Sequence, residues 1–178
     1  DQTWAWSNDG KIRFADNKDG EIVEAWRTPS YSGFAKETKC DVTPASSNNV
    51  PVTEHERFSV QKVITTPGGA KVLDFGQNIA GYISFAVMAK KGQKIKLRFG
   101  EMFDENGEFT QKNVQCRNKK GTKVTPLQQI EYFCKDGLNE YKTKFAIFGF
   151  QYVLIETDVK WKNDDFTAIA VYSDMEET

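Results

Sequence analysis

The sequence predicts an all-β protein: an antiparallel, jelly-roll-like β-sandwich of about ten strands that forms a single domain over residues 1–178. Segments with helical periodicity are scarce, whereas short runs of β-branched and aromatic residues recur between Gly, Asn, Asp and Pro, which is typical of sandwiches. A chain of 178 residues with 39% hydrophobic content can fill one core but is short for two independent domains.

The predicted strands follow one another at turn-like intervals. Residues 94–99 alternate strictly, so Ile95, Leu97 and Phe99 face one side and three cations face the other, as in a half-buried strand. Residues 166–172 are almost entirely apolar, which favours a central strand covered on both faces. The predicted strands are residues 11–15, 21–26, 52–65, 71–75, 82–88, 94–99, 128–134, 141–145, 151–156 and 166–172.

Two polar segments, residues 30–49 and 103–124, interrupt the strands. The second offers little apolar surface, so we expect it to be the more mobile one, with its cations solvating a loop. Its cations are Lys112, Arg117, Lys119, Lys120 and Lys123. Residues 104–108 superficially resemble a calcium loop but lack the ligand spacing of one, and Asn106-Gly107 favours a turn.

Charge and cysteine content limit the function classes. Lys plus Arg number 24 and Asp plus Glu 25, so the chain lacks the basic footprint on which nucleic-acid binding depends. The longest uncharged apolar stretch, residues 81–89, is too short to span a bilayer, and we expect any signal peptide to be absent from this sequence. We therefore expect neither nucleic acid nor a membrane as a partner. Cys40, Cys116 and Cys134 are expected to be free thiols, although Cys116 with Cys134 remains an alternative pairing.

No residue is predicted to be catalytic. His55 is the only histidine and lies on a predicted strand with no nucleophile motif nearby, which favours a surface role. Asp74 precedes a glycine at a predicted strand end, where its carboxylate can accept backbone N–H groups. Glu101 ends a half-buried strand, and we expect it to pair with Arg98 or Arg117.

Three strand-like segments carry unusual polar insertions in a fixed order. Residues 72–82 read VLDFGQNIAGY, residues 97–101 read LRFGE and residues 148–153 read FGFQYV. This ordered set resembles the β-sandwich region ahead of the catalytic domain in bacterial α-L-rhamnosidases of glycoside hydrolase family 78. The resemblance implies a fragment of a sugar-processing enzyme whose acid and base belong to a following (α/α)₆ barrel that is absent from these residues. It also implies an extracellular or periplasmic location.

An acidic turn at residues 16–21, DNKDGE, groups three carboxylates and one amide, and hard oxygen ligands are what Ca²⁺ requires. A plain turn between two strands is the alternative. In some rhamnosidases the corresponding sandwich resembles a carbohydrate-binding module of family 67, which holds L-rhamnose through bound Ca²⁺. The resemblance implies Asp16 and Asn17 as metal ligands, with Pro51 and the neighbouring Asn48 or Asn49 in a second loop.

Sugar-binding faces commonly place an aromatic ring against the C–H patch of a pyranose. Trp26 and Tyr31 flank a polar turn and are the preferred rings beside Asp16 and Asn17, with Trp4 and Trp6 also in this half of the chain. Core packing is the alternative for each ring.

Two functions stay open at this point. The first is a non-catalytic domain that binds terminal L-rhamnose, with Ca²⁺ as a cofactor, and presents rhamnose-containing glycans to the catalytic domain of the same polypeptide. The second is a purely structural domain that packs on and supports the catalytic barrel, with Gln77 and Asn78 as its polar contacts. Relative to the family pattern Gly20, Glu21 and Ala25 match, whereas Val23 and Trp26 depart from it, which favours the structural role.

Overall fold

A computed structural model describes residues 2–47, 50–122 and 124–175 of the chain. Strands dominate these residues, and the one helical element among them is a short 3₁₀ turn at Asn163–Asp165. The strands, in chain order from β1 to β16, are Ala5–Trp6, Ile12–Asp16, Gly20–Glu24, Gly33–Phe34, Val52–Ser59, Lys62–Thr65, Lys71–Ala89, Lys94–Gly100, Met102–Phe103, Phe109–Thr110, Cys116–Arg117, Val124–Thr125, Gln129–Phe133, Gly137–Lys142, Phe148–Thr157 and Phe166–Ser173. The predicted all-β fold is confirmed.

Ten strands form one large curled sheet in the order β2-β3-β13-β8-β15-β7-β16-β5, with β6 and β14 also paired to β7. The first part of β7 pairs with β15 and β6, and its last part pairs with β14 and β16. A single long strand therefore contributes to both halves of the curled sheet. Two-stranded pairs form from β1 with β4, β9 with β10 and β11 with β12.

The core lies between the two halves of this sheet and is rich in aromatic rings. Phe99 stacks on Phe148 with 4.3 Å between ring centroids and meets Phe150 edge-on at 5.0 Å. The alternation predicted for β8 is confirmed, because Ile95, Leu97 and Phe99 are fully buried. The prediction for residues 166–172 is also confirmed, since β16 lies between β7 and β5 and is buried along most of its length.

Three strand predictions need correction. Residues 71–75 and 82–88 belong to one continuous strand, because Gly76, at φ +81°, lets β7 bulge where the sequence suggested a strand end. Residues 52–65 form two strands instead of one, since β5 pairs with β16 and β6 with β7. The strand predicted at residues 141–145 ends at Lys142, because the backbone N–H groups that follow donate to the Glu21 carboxylate.

The polar segment 103–124 contains strand pairs that its composition does not predict, since β9 pairs with β10 and β11 with β12. The turn predicted at residues 104–108 is confirmed. Asp104 accepts the N–H groups of Asn106 and Glu108, both at 2.9 Å, and Gly107 takes a φ of +77°. Whether the segment is mobile stays a prediction.

The three cysteines are free thiols, with Cys40 and Cys116 exposed and Cys134 buried. The alternative Cys116–Cys134 pairing is wrong because Cys116 lies on the outlying β11–β12 pair, whereas Cys134 sits in the core beyond β13. Within the described residues, no helix has the length and apolar character that crossing a membrane requires.

Candidate functional site

The fold brings the three polar insertions of the sequence to one place, which we call the motif surface and define as residues 76–78, Glu101, Gly149 and Gln151. The central strand β15 pairs with β7 on one side and with β8 on the other. Tyr152 lies opposite Asp74 of β7 and opposite Gly100 of β8. Residues 78 and 52 positions apart in sequence therefore meet across neighbouring strands.

A bulge in β7 shapes the centre of the motif surface. The pairing of β7 with β15 skips from Asp74 to Ile79, so Gln151 stands opposite residues 75–78. Asp74, 6% exposed, accepts the backbone N–H of Gly76 at 2.8 Å and the side-chain amide of Gln151 at 3.0 Å. The prediction that this carboxylate fixes a tight backbone feature is confirmed.

The bulge leaves Gln77 and Asn78 exposed to solvent. Asn78 donates its side-chain amide to one Glu101 carboxylate oxygen at 3.3 Å, and Asn113 donates to the other at 2.7 Å. The predicted pairing of Glu101 with Arg98 or Arg117 is wrong, because the two asparagine amides occupy its carboxylate instead. The role of Asn113 was not foreseen, since no local sequence signal links it to Glu101.

A cleft of about 390 Å³ adjoins the motif surface and is lined by Gln77, Asn78, Glu56, Phe58 and Tyr172, among others. The Tyr172 hydroxyl donates to Glu56 at 2.9 Å, and this hydrogen bond lowers the pKa of the Glu56 carboxyl group. Amide and carboxylate groups beside aromatic rings can hydrogen-bond a polar partner and cover its apolar atoms.

His55 lies at the outer edge of this region, where its ring stacks on Tyr172 with 3.5 Å between centroids. Its Nε2 atom is 3.1 Å from the Thr53 hydroxyl and 3.2 Å from the Tyr172 carbonyl oxygen. The histidine is half-exposed on β5, which agrees with the predicted surface role.

In the acidic turn, carboxylate groups accept hydrogen bonds from the protein's own backbone. Asp16 accepts the N–H groups of Lys18 and Asp19, both at 2.8 Å, which closes the turn between β2 and β3. Asp19 is buried and accepts the Thr125 hydroxyl at 2.7 Å and the Leu127 N–H at 2.9 Å. The side-chain carboxylates of Asp16 and Asp19 therefore both accept backbone N–H groups of the protein itself.

Glu21 is the most enclosed acid in this region, at 2% exposure. Its carboxylate accepts the backbone N–H groups of Lys144 at 2.9 Å, Phe145 at 2.5 Å and Ala146 at 3.1 Å, and also the Tyr141 hydroxyl. Burial raises the pKa of Tyr141, and its hydrogen bond to Glu21 raises it further. Sequence reasoning noted only that Glu21 matched the family pattern, because its partners lie 120 or more residues away.

The remaining predicted site residues lie at separate places. Trp26 is half-buried and meets Phe133 edge-on at 6.1 Å, whereas Tyr31 is 76% exposed. The Pro51 carbonyl accepts the N–H of Asp174 at 2.9 Å, and Asn48 falls outside the described residues. Asn17 is exposed in the acidic turn.

The two predicted ligand loops adjoin β2 and β5, which are the first and last strands in the order of the large sheet. Across residues 2–47, 50–122 and 124–175, no group of three or more His, Cys, Asp or Glu side chains is arranged to hold a metal ion. The calcium and sugar assignments stay predictions.

The described residues form an all-β fold in which the three polar insertions lie side by side on the neighbouring strands β7, β15 and β8. The chain belongs to the family of bacterial α-L-rhamnosidase concanavalin-like domains, whose family model matches residues 64–172. All three segments of the motif surface fall inside the matched range. Asp16, Asn17, Trp26, Tyr31 and Pro51 precede it.

Relatives named as α-L-rhamnosidases agree with this assignment. An α-L-rhamnosidase of Formosa agariphila is 30% identical over 191 residues, which cover 100% of this chain and 20% of that protein. An α-L-rhamnosidase of Alteromonas sp. is 28% identical over 90% of this chain and 18% of its own length. The chain thus spans about a fifth of the length of these relatives.

Solved structures show the same fold. The native rhamnosidase of Aspergillus terreus superposes with a TM-score of 0.74 at 27% identity, covering 95% of this chain and 20% of that one. The Streptomyces avermitilis α-L-rhamnosidase, solved in complex with L-rhamnose, gives a TM-score of 0.75 at 22% identity, covering 93% of this chain and 16% of that one.

Proposed function

We propose that this chain is a non-catalytic accessory domain of an α-L-rhamnosidase-type glycoside hydrolase, and that it packs through its motif surface on the catalytic domain of the same polypeptide. The observation that carries the proposal is the convergence of the three family segments on one surface. Buried or hydrogen-bonded groups such as Asp74 fix that surface from beneath, while Gln77 and Asn78 stay exposed above it.

The hydrogen-bonding state of this surface supports a contact role. Glu101 is already held by the amides of Asn78 and Asn113, so its carboxylate is positioned before any partner arrives. The adjacent cleft adds Glu56 and Tyr172, which are also joined to each other. Because these polar groups of the chain are already ordered, they lose little conformational entropy when a partner binds.

Backbone hydrogen exchange tests this proposal. Packing of the motif surface against a catalytic domain slows amide exchange at residues 76–78 in the longer polypeptide relative to the isolated chain.

The second candidate function is binding of terminal L-rhamnose through Ca²⁺, with Asp16, Asn17, Asn48 and Pro51 as metal ligands and Trp26 and Tyr31 as sugar-binding rings. Its support is the exposure of Asn17 and Tyr31. Two adjacent sugar hydroxyls would then replace water on the metal ion and select the correct diol. Such a domain would act outside the cell or in the periplasm, where it would present plant or microbial glycans to the enzyme.

Calorimetric titration of the chain with L-rhamnose tests this second function. If it is correct, heat of binding appears with Ca²⁺ and disappears with EDTA, and Asp16→Asn weakens binding about tenfold by removing one ligand charge. The asparagine keeps an oxygen that can accept the Lys18 and Asp19 N–H groups, so the turn is preserved. Asp41→Asn, at an exposed position, is the control. The absence of heat under both conditions would refute sugar binding at this site.

A further inference from the structure

We propose that a basic cleft beside β8 binds a sugar residue that carries an anionic substituent, either a carboxylate or a sulfate ester. The cleft has a volume of about 470 Å³, which lies within the range of about 300–1,000 Å³ found for small-molecule sites. Its walls include Arg98, Phe109, Gln111, Lys112, Gln115 and Arg117. This binding goes beyond the proposed contact with a catalytic domain.

The cleft concentrates positive charge in a chain whose formal net charge is −1. Its lining holds Arg98, Lys112 and Arg117 but no acidic residue. None of these three cations forms an ion pair with a carboxylate in the described part of the chain, whereas Lys94 and Lys96 of the same strand β8 both pair with Glu131. The sequence had suggested that Lys112 and Arg117 merely solvate a loop, but the fold brings them together with Arg98.

One wall of the cleft is rigidly held. Gln111 is 3% exposed, and its side-chain amide donates to the carbonyl oxygens of Phe99 at 2.8 Å and Leu127 at 2.9 Å. Its amide oxygen accepts hydrogen bonds from Nε and Nη2 of Arg98, at 3.2 and 2.9 Å. The guanidinium group is thereby oriented by a neutral partner that leaves its charge uncompensated, and Nη1 bonds to none of the described residues. An oriented guanidinium is well suited to carboxylate or sulfate oxygens.

The cleft also offers the groups that a sugar ring needs. The half-buried Phe109 ring lies 5.9 Å from Cζ of Arg98 and gives an apolar surface for C–H groups. Gln115 donates its side-chain amide to Gln111 Oε1 at 3.3 Å and supplies further hydrogen-bonding capacity for hydroxyl groups. Cations that select the anionic substituent, together with the Phe109 ring and the Gln115 amide to contact the sugar itself, favour an acidic saccharide over a bare anion.

Titration of the chain, followed by amide chemical shifts, tests the proposal with four probes: D-glucuronate, glucose 6-sulfate, glucose and inorganic sulfate. We expect at least one anionic sugar to shift the amides of residues 98 and 109–117, with an apparent affinity that falls as salt concentration rises. The two sugar probes distinguish the carboxylate from the sulfate ester. Equal binding of glucose, or binding of inorganic sulfate as tight as that of both anionic sugars, would overturn the proposal, as would no binding by either anionic sugar.

Variants distinguish binding in the cleft from a general effect of the positive charges on the chain. Arg117→Gln and Lys112→Gln should each weaken binding of the anionic sugar about tenfold, because each removes one charge-assisted contact. Arg98→Lys keeps the charge but loses the planar fork, and we expect a similar loss. Lys119→Gln and Lys120→Gln, which remove the same charge from the same loop outside the cleft, should change affinity less than twofold. Equal weakening by the control variants would contradict a defined site.

Neither this titration nor its variants depends on the proposed packing against a catalytic domain. Loss of anionic-sugar binding would leave the motif surface unaffected, and unchanged hydrogen exchange at the motif surface would leave the basic cleft unaffected. The two proposals therefore fail separately.

Discussion

Replacing Glu21 with glutamine should lower the free energy of unfolding by about 3 kcal/mol or more. The carboxylate is almost fully buried and serves three consecutive backbone N–H groups at Lys144, Phe145 and Ala146. Hydrogen bonds to a charged group contribute about 1.5–3 kcal/mol each, and a glutamine would turn an NH₂ group toward some of these donors. At least one backbone donor, such as the buried N–H of Ala146, would then be left without its partner.

Urea unfolding at neutral pH measures this loss directly. Glu156→Gln is the matched control, because Glu156 is exposed on β15 and its replacement should change stability by less than about 0.5 kcal/mol. If Glu21→Gln cost less than about 1 kcal/mol, the carboxylate would not anchor the segment between β14 and β15, and our account of why β14 ends early would be wrong.

The adjacent glycine should be equally intolerant of change, since Gly20→Ala is expected to cost more than about 4 kcal/mol or to prevent folding. Gly20 has a φ of +113°, and a Cβ atom there would lie 1.7 Å from the carbonyl oxygen of Gln129. The obstacle is backbone of the parallel neighbour β13, which cannot rotate away as a side chain would. The β3–β13 pairing that places Glu21 would have to separate.

Gly69→Ala is a control that separates the clash from backbone strain. Gly69 has a φ of +86°, but nothing lies within 4 Å of a Cβ atom placed there. We expect this variant to cost only about 1–2 kcal/mol, the usual penalty for a side chain in the left-handed region. Soluble yield and urea unfolding of the two variants provide the comparison, and equal losses would contradict the close approach of Gln129.

Local pattern was sufficient to predict much of the fold. The alternation in β8 indicates one buried face, and the continuous apolar run in β16 indicates burial on both faces, so each pattern is present in the local sequence. The bulge at Gly76 was read as a strand end because glycine before polar residues is also a turn signal. Only the pairing of β7 with several neighbours keeps the strand continuous there.

The contacts of the candidate sites depended on tertiary proximity that no local pattern contains. Glu21 and its partners at residues 144–146, or Glu101 and Asn113, are brought together by strand order instead of by sequence spacing. The ordered set of segments predicted the family, and the family match over residues 64–172 confirms it. It could not predict that Arg98 would share a cleft with Lys112 and Arg117.

The central claim is that the motif surface is a contact with the catalytic domain of the same polypeptide. Hydrogen exchange at residues 76–78 tests it most directly, because these residues lie in the gap between the two paired stretches of β7 and β15, and Gln77 and Asn78 carry exposed side chains. In the longer polypeptide we predict at least about tenfold slower amide exchange there than in the isolated chain, with no change in the turn at residues 90–93. Equal exchange rates at residues 76–78 in the two proteins would contradict the account.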